Sequence, residues 1–71
     1  MAVEIVAPMV GKVVKVLVTV GQEVEEDEPV VMIEAMKVEM PVVAPESGKV
    51  SAVHVKEGQT VEGEAVLVEL A

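Results

Sequence analysis

The sequence predicts an all-β protein, and its composition, an internal repeat and short apolar runs support that prediction. Valine is the commonest of the 71 residues, and the chain contains no Phe, Tyr, Trp or Cys. β-branched side chains fit a pleated strand better than a helix, so a valine-rich chain predicts strands. The length predicts one domain, residues 1–71, with an aliphatic core.

An internal repeat with a spacing of 37 residues (45 − 8) divides the chain into halves of about 3–34 and 40–71. Glycine and proline recur along with valine: Ala7-Pro8 matches Ala44-Pro45, Gly11-Lys12 matches Gly48-Lys49, and Gly21-Gln22 matches Gly58-Gln59. These residues carry backbone requirements, so the backbone itself is predicted to repeat. Neither half could bury an apolar face alone. We therefore expect a two-sheet sandwich or flattened barrel with approximate twofold symmetry.

Each half predicts the same order of elements. The predicted strands are 3–6, 13–20 and 29–34 in the first half, and 38–43, 50–55 and 65–70 in the second. Gly21 and Gly58 end the long strands at turns, and Val24 and Val61 lie just beyond them. Alternation in the first long strand predicts one shared face for four valines: Val14, Val16, Val18 and Val20.

Residues 32–40 form the junction between the halves. They are rich in Glu, Ala, Met and Lys, which alone would predict a helix. The repeat instead pairs both flanks with predicted strands, so we expect a tight hairpin with Met36 and Lys37 at its tip. Such a turn without glycine predicts mild backbone strain. Twofold symmetry then places Lys37 at one pole and both termini at the other.

Charge and hydropathy exclude several functions. The net charge is −8, whereas a nucleic-acid binder needs an excess of Lys and Arg and often aromatic rings. The same charge disfavours anionic membranes, and no apolar run approaches the roughly 20 residues of a spanning helix. No basic start precedes a continuous apolar segment, so we expect no signal peptide and a cytoplasmic location.

The sequence Glu34-Ala35-Met36-Lys37 closely resembles the attachment motif of biotinyl domains, the biotin carboxyl carrier family. In that family the lysine of Ala-Met-Lys lies on a tight hairpin and is joined by an amide to biotin. Ala44-Pro45, Gly48 and residues 7–11 also stand where the family has similar residues, so the resemblance covers essentially the whole chain. It implies a barrel-sandwich hybrid, a flattened β-barrel of two four-stranded antiparallel sheets.

The resemblance also implies a function. Lys37 would carry covalent biotin, and a biotin protein ligase would recognise Glu34, Ala35, Met36 and Val38. The chain would be a non-catalytic, monomeric carrier that moves carboxylate between a biotin carboxylase and a carboxyltransferase or decarboxylase. Residues 21–29 are too short for the protruding thumb of some carriers, so the thumbless type is expected.

Two alternatives remain open from the sequence. The first is a lipoyl carrier for 2-oxoacid dehydrogenases, or a dual acceptor of biotin and lipoate. Lipoyl domains usually have Asp-Lys-Ala, which Met36 and Val38 do not match, although biotinyl domains usually have Met at the position of Val38. The second is an unmodified structural adaptor, a class that usually carries a long helical insertion between its halves.

The remaining polar residues predict no catalytic or metal site. His54 is the only histidine and is out of phase with its valine neighbours, so we expect it on the outer face. Residues 25–28, Glu-Glu-Asp-Glu, lack the spacing and glycine of a calcium loop and are expected to form a solvated loop. Glu34 could equally be a solvated charge at a strand end.

Overall fold

The computed structural model describes residues 3–71, and within that range the chain forms eight β-strands and no helix. The strands are β1 Val3–Val6, β2 Gly11–Val16, β3 Glu23–Val24, β4 Pro29–Ala35, β5 Val38–Val43, β6 Gly48–Val53, β7 Thr60–Val61 and β8 Val66–Leu70. All strand pairs are antiparallel. Sheet 1 has the order β1-β8-β6-β3 and sheet 2 the order β5-β4-β2-β7. Residues 3–71 thus contain no helix long and apolar enough to span a membrane.

The predicted twofold repeat is confirmed in the strand register. Ile33 pairs with Met40, and their counterparts Leu70 and Val3 also pair. Exchanging the halves converts the strand order of sheet 1 into that of sheet 2. Each sheet contains two strands from each half, so the halves interlock and neither can complete a sheet alone. The ladders do not join the sheets into a closed barrel, and the architecture is a flattened sandwich.

The prediction for the long strand of the first half was partly wrong. β2 ends at Val16, and its register shifts between Val13 and Lys15. Such a bulge adds one residue to one strand and reverses the alternation of faces. As a result Val13 is buried and Val14 is exposed. Beyond β2, Val18 is buried and Val20 is exposed, so the predicted common face for Val14, Val16, Val18 and Val20 is wrong. β6 has the equivalent shift and also ends earlier than predicted.

The core lies between the two sheets and is entirely aliphatic. Its largest fully buried side chains come from both halves: Val13, Val30, Val31, Ile33, Val50, Leu67, Val68 and Leu70. Among residues 3–71 no polar or charged side chain is buried. Stability therefore depends on close packing of branched side chains rather than on buried polar contacts.

The β4–β5 hairpin lies at the opposite end of the molecule from Val3 and Ala71, the first and last described residues, as the repeat predicted. β3 pairs with the start of β6, next to the terminal end of sheet 1. A short loop then leads from Val24 to Pro29, where β4 begins at its end far from the hairpin. The longest molecular dimension is 32 Å. The hairpin is thus free of the ends through which the chain could be joined to other segments.

We predict that Val13→Ala and Val50→Ala each lower the free energy of unfolding by roughly 2 kcal/mol, because each removes two fully buried methyl groups. Val14→Ala should change it by less than about 0.5 kcal/mol, because Val14 lies on the exposed side of the bulge. Urea denaturation measures all three. Equal losses for Val13→Ala and Val14→Ala would contradict the described bulge.

Candidate functional site: the β4–β5 hairpin

The site is built on the hairpin that joins the two halves. Ala35 and Val38 form the last pair of the β4–β5 ladder, which leaves only Met36 and Lys37 in the turn. Their φ angles are +54° and +65°. A two-residue loop with both φ angles positive is the type I′ pattern, whose twist matches that of the flanking strands. The predicted tight hairpin is confirmed.

The turn residues are not the ones that stability alone would select. A non-glycine residue in the left-handed region costs roughly 1–2 kcal/mol, and type I′ turns favour Asn-Gly for that reason. Met36 gains no packing in return, because it is 86% exposed. The strand pairing between β4 and β5 must therefore offset the cost of this turn. Local strain that contributes nothing to stability is typical of functional positions.

The hairpin rests on a close contact with β2. A Cβ atom on Gly11 would lie 2.8 Å from the carbonyl oxygen of Glu34 and 3.4 Å from the Cβ of Ala35. Only glycine lets the two backbones approach so closely. The counterpart Gly48 is less restricted, since its nearest neighbour would be the Cβ of Leu70 at 3.3 Å. The recurrence of glycine indicated a backbone requirement, but the sequence did not show this contact.

Lys37 is exposed and available at the tip of the turn. Within residues 3–71 the only ion pair joins His54 Nε2 and Glu69 Oε1 at 2.9 Å, so no carboxylate holds the Lys37 ammonium. The side chain is a cation on a flexible four-carbon stem above a fixed backbone. This combination suits covalent acylation, because an enzyme can reach the nitrogen while the turn fixes its origin.

The four residues predicted for ligase recognition differ in their exposure. Met36, Val38 and Glu34 have exposed side chains around Lys37, whereas Ala35 is buried beneath the turn and contributes packing. Glu34 lies in a transverse row, paired with Lys12 on one side and Glu39 on the other. A shallow depression of about 310 Å³ beside this row is lined by Lys12, Val13, Val14, Glu34, Glu39 and Gly58.

The other polar candidates lie away from the hairpin. His54 is exposed on the outer face of sheet 1, as predicted, and its Nε2 is hydrogen-bonded with Oε1 of Glu69. Residues 25–27 are exposed in the loop after β3. Across the described residues, 3–71, no three His, Cys, Asp or Glu side chains are placed to hold a metal ion.

Comparison with known proteins agrees with this geometry. The biotin/lipoyl family, described as "biotin-requiring enzyme", matches residues 3–70. The biotin carboxyl carrier protein of acetyl-CoA carboxylase from Solanum lycopersicum is 60% identical over 35 residues, which are 49% of this chain and 50% of that protein. The biotin carboxyl carrier protein of Streptococcus mutans is 54% identical over 33 residues, or 46% of this chain and 25% of that protein. The matches thus span half or less of these relatives.

Two solved structures contain the same fold. The Kluyveromyces lactis urea carboxylase superposes on the whole chain with a TM-score of 0.94 and 35% identity, over 6% of its own length. A single-chain, multi-domain long-chain acyl-CoA carboxylase superposes on 96% of the chain with a TM-score of 0.89 and 28% identity, over 7% of its length. In both cases the likeness covers one small part of a large protein.

We predict that Gly11→Ala destabilises the protein more than Gly48→Ala, because the new methyl group meets a backbone oxygen at 2.8 Å rather than a side chain at 3.3 Å. The expected loss for Gly11→Ala is about 1–3 kcal/mol. Thermal and urea unfolding of both variants measure the difference. Equal losses would mean that the contact with Glu34 is not restrictive.

We also predict that replacing Met36-Lys37 by Asn-Gly raises the free energy of unfolding by about 1 kcal/mol, because these residues adopt positive φ at lower cost. Met9→Asn is the control, since Met9 is an exposed methionine without a positive φ. Urea denaturation should show a gain only for the turn variant. No gain, or a loss, would show that the native turn is unstrained.

Proposed function

Because the chain belongs to the biotin/lipoyl family of biotin-requiring enzymes, we propose that it is a biotin carrier with biotin attached to Lys37. The observation that carries this proposal is the position of Lys37 in a two-residue turn with positive φ, exposed and without an ion-pair partner among the described residues. The other four lysines differ: Lys12, Lys15 and Lys49 lie within strands, and Lys56 lies in a loop with an ordinary φ.

Attachment changes the chemistry of the side chain in a defined way. An amide bond forms between Lys37 Nζ and the carbonyl carbon of an activated biotin carboxylate, whose leaving group departs as the amine loses its proton. The charge of the ammonium is removed, and the lysine stem becomes part of a longer tether. Bound biotin supplies a ureido nitrogen that takes up carboxylate at one active site and releases it at another.

The protein itself has only to position and carry the group. Cofactors supply the difficult chemistry, and tethering raises the effective concentration of the group at each active site. The rigid turn fixes the origin of the tether, while the exposed stem gives it reach. No acid–base residue is required near Lys37, so the chain acts as a non-catalytic carrier within a larger system.

The proposed partners follow from this role. A biotin protein ligase would modify Lys37 and would meet the exposed side chains of Glu34, Met36 and Val38 around it. A biotin carboxylase and a carboxyltransferase or decarboxylase would use the attached group. The matched carrier proteins and the two carboxylase structures support this assignment. We propose a monomeric domain in the cytoplasm.

The test is the intact mass of the chain expressed with biotin protein ligase, biotin, a lipoyl ligase and lipoate. The wild-type chain should gain one biotinyl group, Lys37→Arg should gain none, and Lys49→Arg should be modified like the wild type. The proposal fails if the wild type stays unmodified while the ligase modifies a reference acceptor. It also fails if the adduct persists in Lys37→Arg or is a lipoyl group.

A further inference from the structure

The twofold symmetry gives each outer face of the sandwich an internal reference. Within the described residues, most surface positions on sheet 2 have a counterpart 37 residues away on sheet 1. The counterparts are alike in exposure where the residues are the same: Val6 is 39% exposed and Val43 is 38% exposed. Counterparts thus have equivalent backbone positions, and a difference in polarity between them comes from the side chains alone.

The two outer faces differ consistently in polarity. Sheet 2 and its margin present four apolar side chains, and the counterparts on sheet 1 are all polar or charged: Val14 with Ser51, Leu17 with His54, Met32 with Glu69, and Pro41 with Glu4. Val14 and Leu17 are 37% and 38% exposed. Within residues 3–71, two positions on this face are exchanged in the other direction: Lys15 with Ala52 and Glu34 with Ala71. We call Val14, Leu17, Met32 and Pro41 the Met32 patch.

The four residues of the Met32 patch lie on one face of sheet 2. Met32 pairs directly with Pro41 on one side and with Lys15 on the other, and direct partners share a face, so the aliphatic stem of Lys15 belongs to the same surface. On sheet 1 the side chains of His54 and Glu69 meet at 2.9 Å, so the symmetry places Leu17 beside Met32. Ser51 Oγ also donates a hydrogen bond to the carbonyl oxygen of Glu69 at 3.2 Å. Because Val14 and Met32 are the counterparts of Ser51 and Glu69, the symmetry places the Val14 side chain over the backbone of Met32.

Stability does not explain the Met32 patch. The same backbone positions carry Ser, His and Glu on sheet 1. Contiguous apolar surface in water is unfavourable unless something covers it, and such patches mark interaction sites. The charges on this face also balance, with Lys12 and Lys15 beside Glu34 and Glu39, although the whole chain carries a net charge of −8.

The Met32 patch lies on the two strands that form the hairpin, and the exposed Glu34–Glu39 pair separates it from the turn. Met32 lies three residues before Ala35 in β4, and Pro41 lies three residues after Val38 in β5. At about 3.3 Å per residue, the patch is roughly 10 Å from the turn along both strands. A protein that holds the hairpin can therefore cover the patch at the same time.

The length of the lysine side chain indicates which partner covers the Met32 patch. An enzyme that acylates Lys37 must bring its active site to Nζ itself, with only the four-carbon stem between that atom and the backbone. Enzymes that act on attached biotin meet its far end and can stay further from the body. Four partly exposed side chains supply less than the roughly 800 Å² per partner of a stable homodimer, which disfavours a second copy, whereas a transient encounter of an enzyme with its substrate protein needs less area.

We propose that the Met32 patch is the docking surface for biotin protein ligase, an inference that rests on the function proposed above. The ligase would present an apolar surface to Met32 and Leu17, with acidic groups towards Lys12 and Lys15. Docking there positions the hairpin so that Nζ of Lys37 reaches the activated carboxyl carbon. The patch therefore contributes to binding of the carrier and not to the acyl transfer step.

The test exchanges residues between the two faces. The variant Val14→Ser/Leu17→His/Met32→Glu carries the residues that the fold already accommodates on sheet 1. In steady-state biotinylation with a biotin protein ligase, its KM for the carrier should rise about tenfold or more, with kcat within about twofold of the wild type. The single variant Met32→Gln should raise the KM for the carrier by about threefold. If the triple variant does not fold, this single variant tests whether the Met32 patch binds the ligase.

The matched control is Ser51→Val/His54→Leu/Glu69→Met on sheet 1, whose KM should stay within about twofold of the wild type. An unchanged KM in the patch variants, or an equal rise in the control, overturns the inference while biotinylation of the wild type preserves the proposed function. A fall in kcat at constant KM also overturns it. So does a wild-type dimer in sedimentation that the triple variant abolishes. Absence of biotin on the wild type would instead refute the proposed function.

Discussion

The antiparallel register between β4 and β5 is the constraint on which the rest of the structure depends. It belongs to both the core and the site, because the same ladder pairs Ile33 with Met40 inside the sandwich and closes at Ala35 and Val38. A shift of one residue in this register would expose the buried side chains, and it would also put a different pair of residues in the turn. The packing of an aliphatic core therefore determines which two residues stand at the tip. A small domain with no buried polar side chain in residues 3–71 can in this way hold one lysine in an unfavourable backbone conformation.

The interlocked repeat explains why so small a chain is sufficient. Each sheet takes two strands from each half, so most strand pairing outside the β4–β5 hairpin is between residues distant in sequence. Such a fold has no separable subunit and little tolerance for local opening. The junction hairpin joins the two halves, and it carries the residue proposed for attachment.

Much of this could be predicted from the sequence, for identifiable reasons. Recurring glycines and prolines report backbone geometry, so the repeat gave the sandwich, the hairpin at Lys37 and the two poles. The bulge after Val13 was missed because a β-bulge has no sequence signature in a run of valines, and it reversed the face of Val14. The contact of Gly11 with Glu34 was missed because it joins distant residues. The difference in polarity between the outer faces became interpretable only once the register defined the counterparts.

We propose that backbone position, and not exposure alone, makes Lys37 the carrier residue. Peptide mapping by tandem mass spectrometry of the folded chain after reaction with biotin protein ligase, with every lysine scored, tests this directly. We expect biotin on Lys37 and none on Lys12, Lys15, Lys49 or Lys56, all of which are exposed. Biotin on any of those four lysines, or an even distribution among the five, would contradict it.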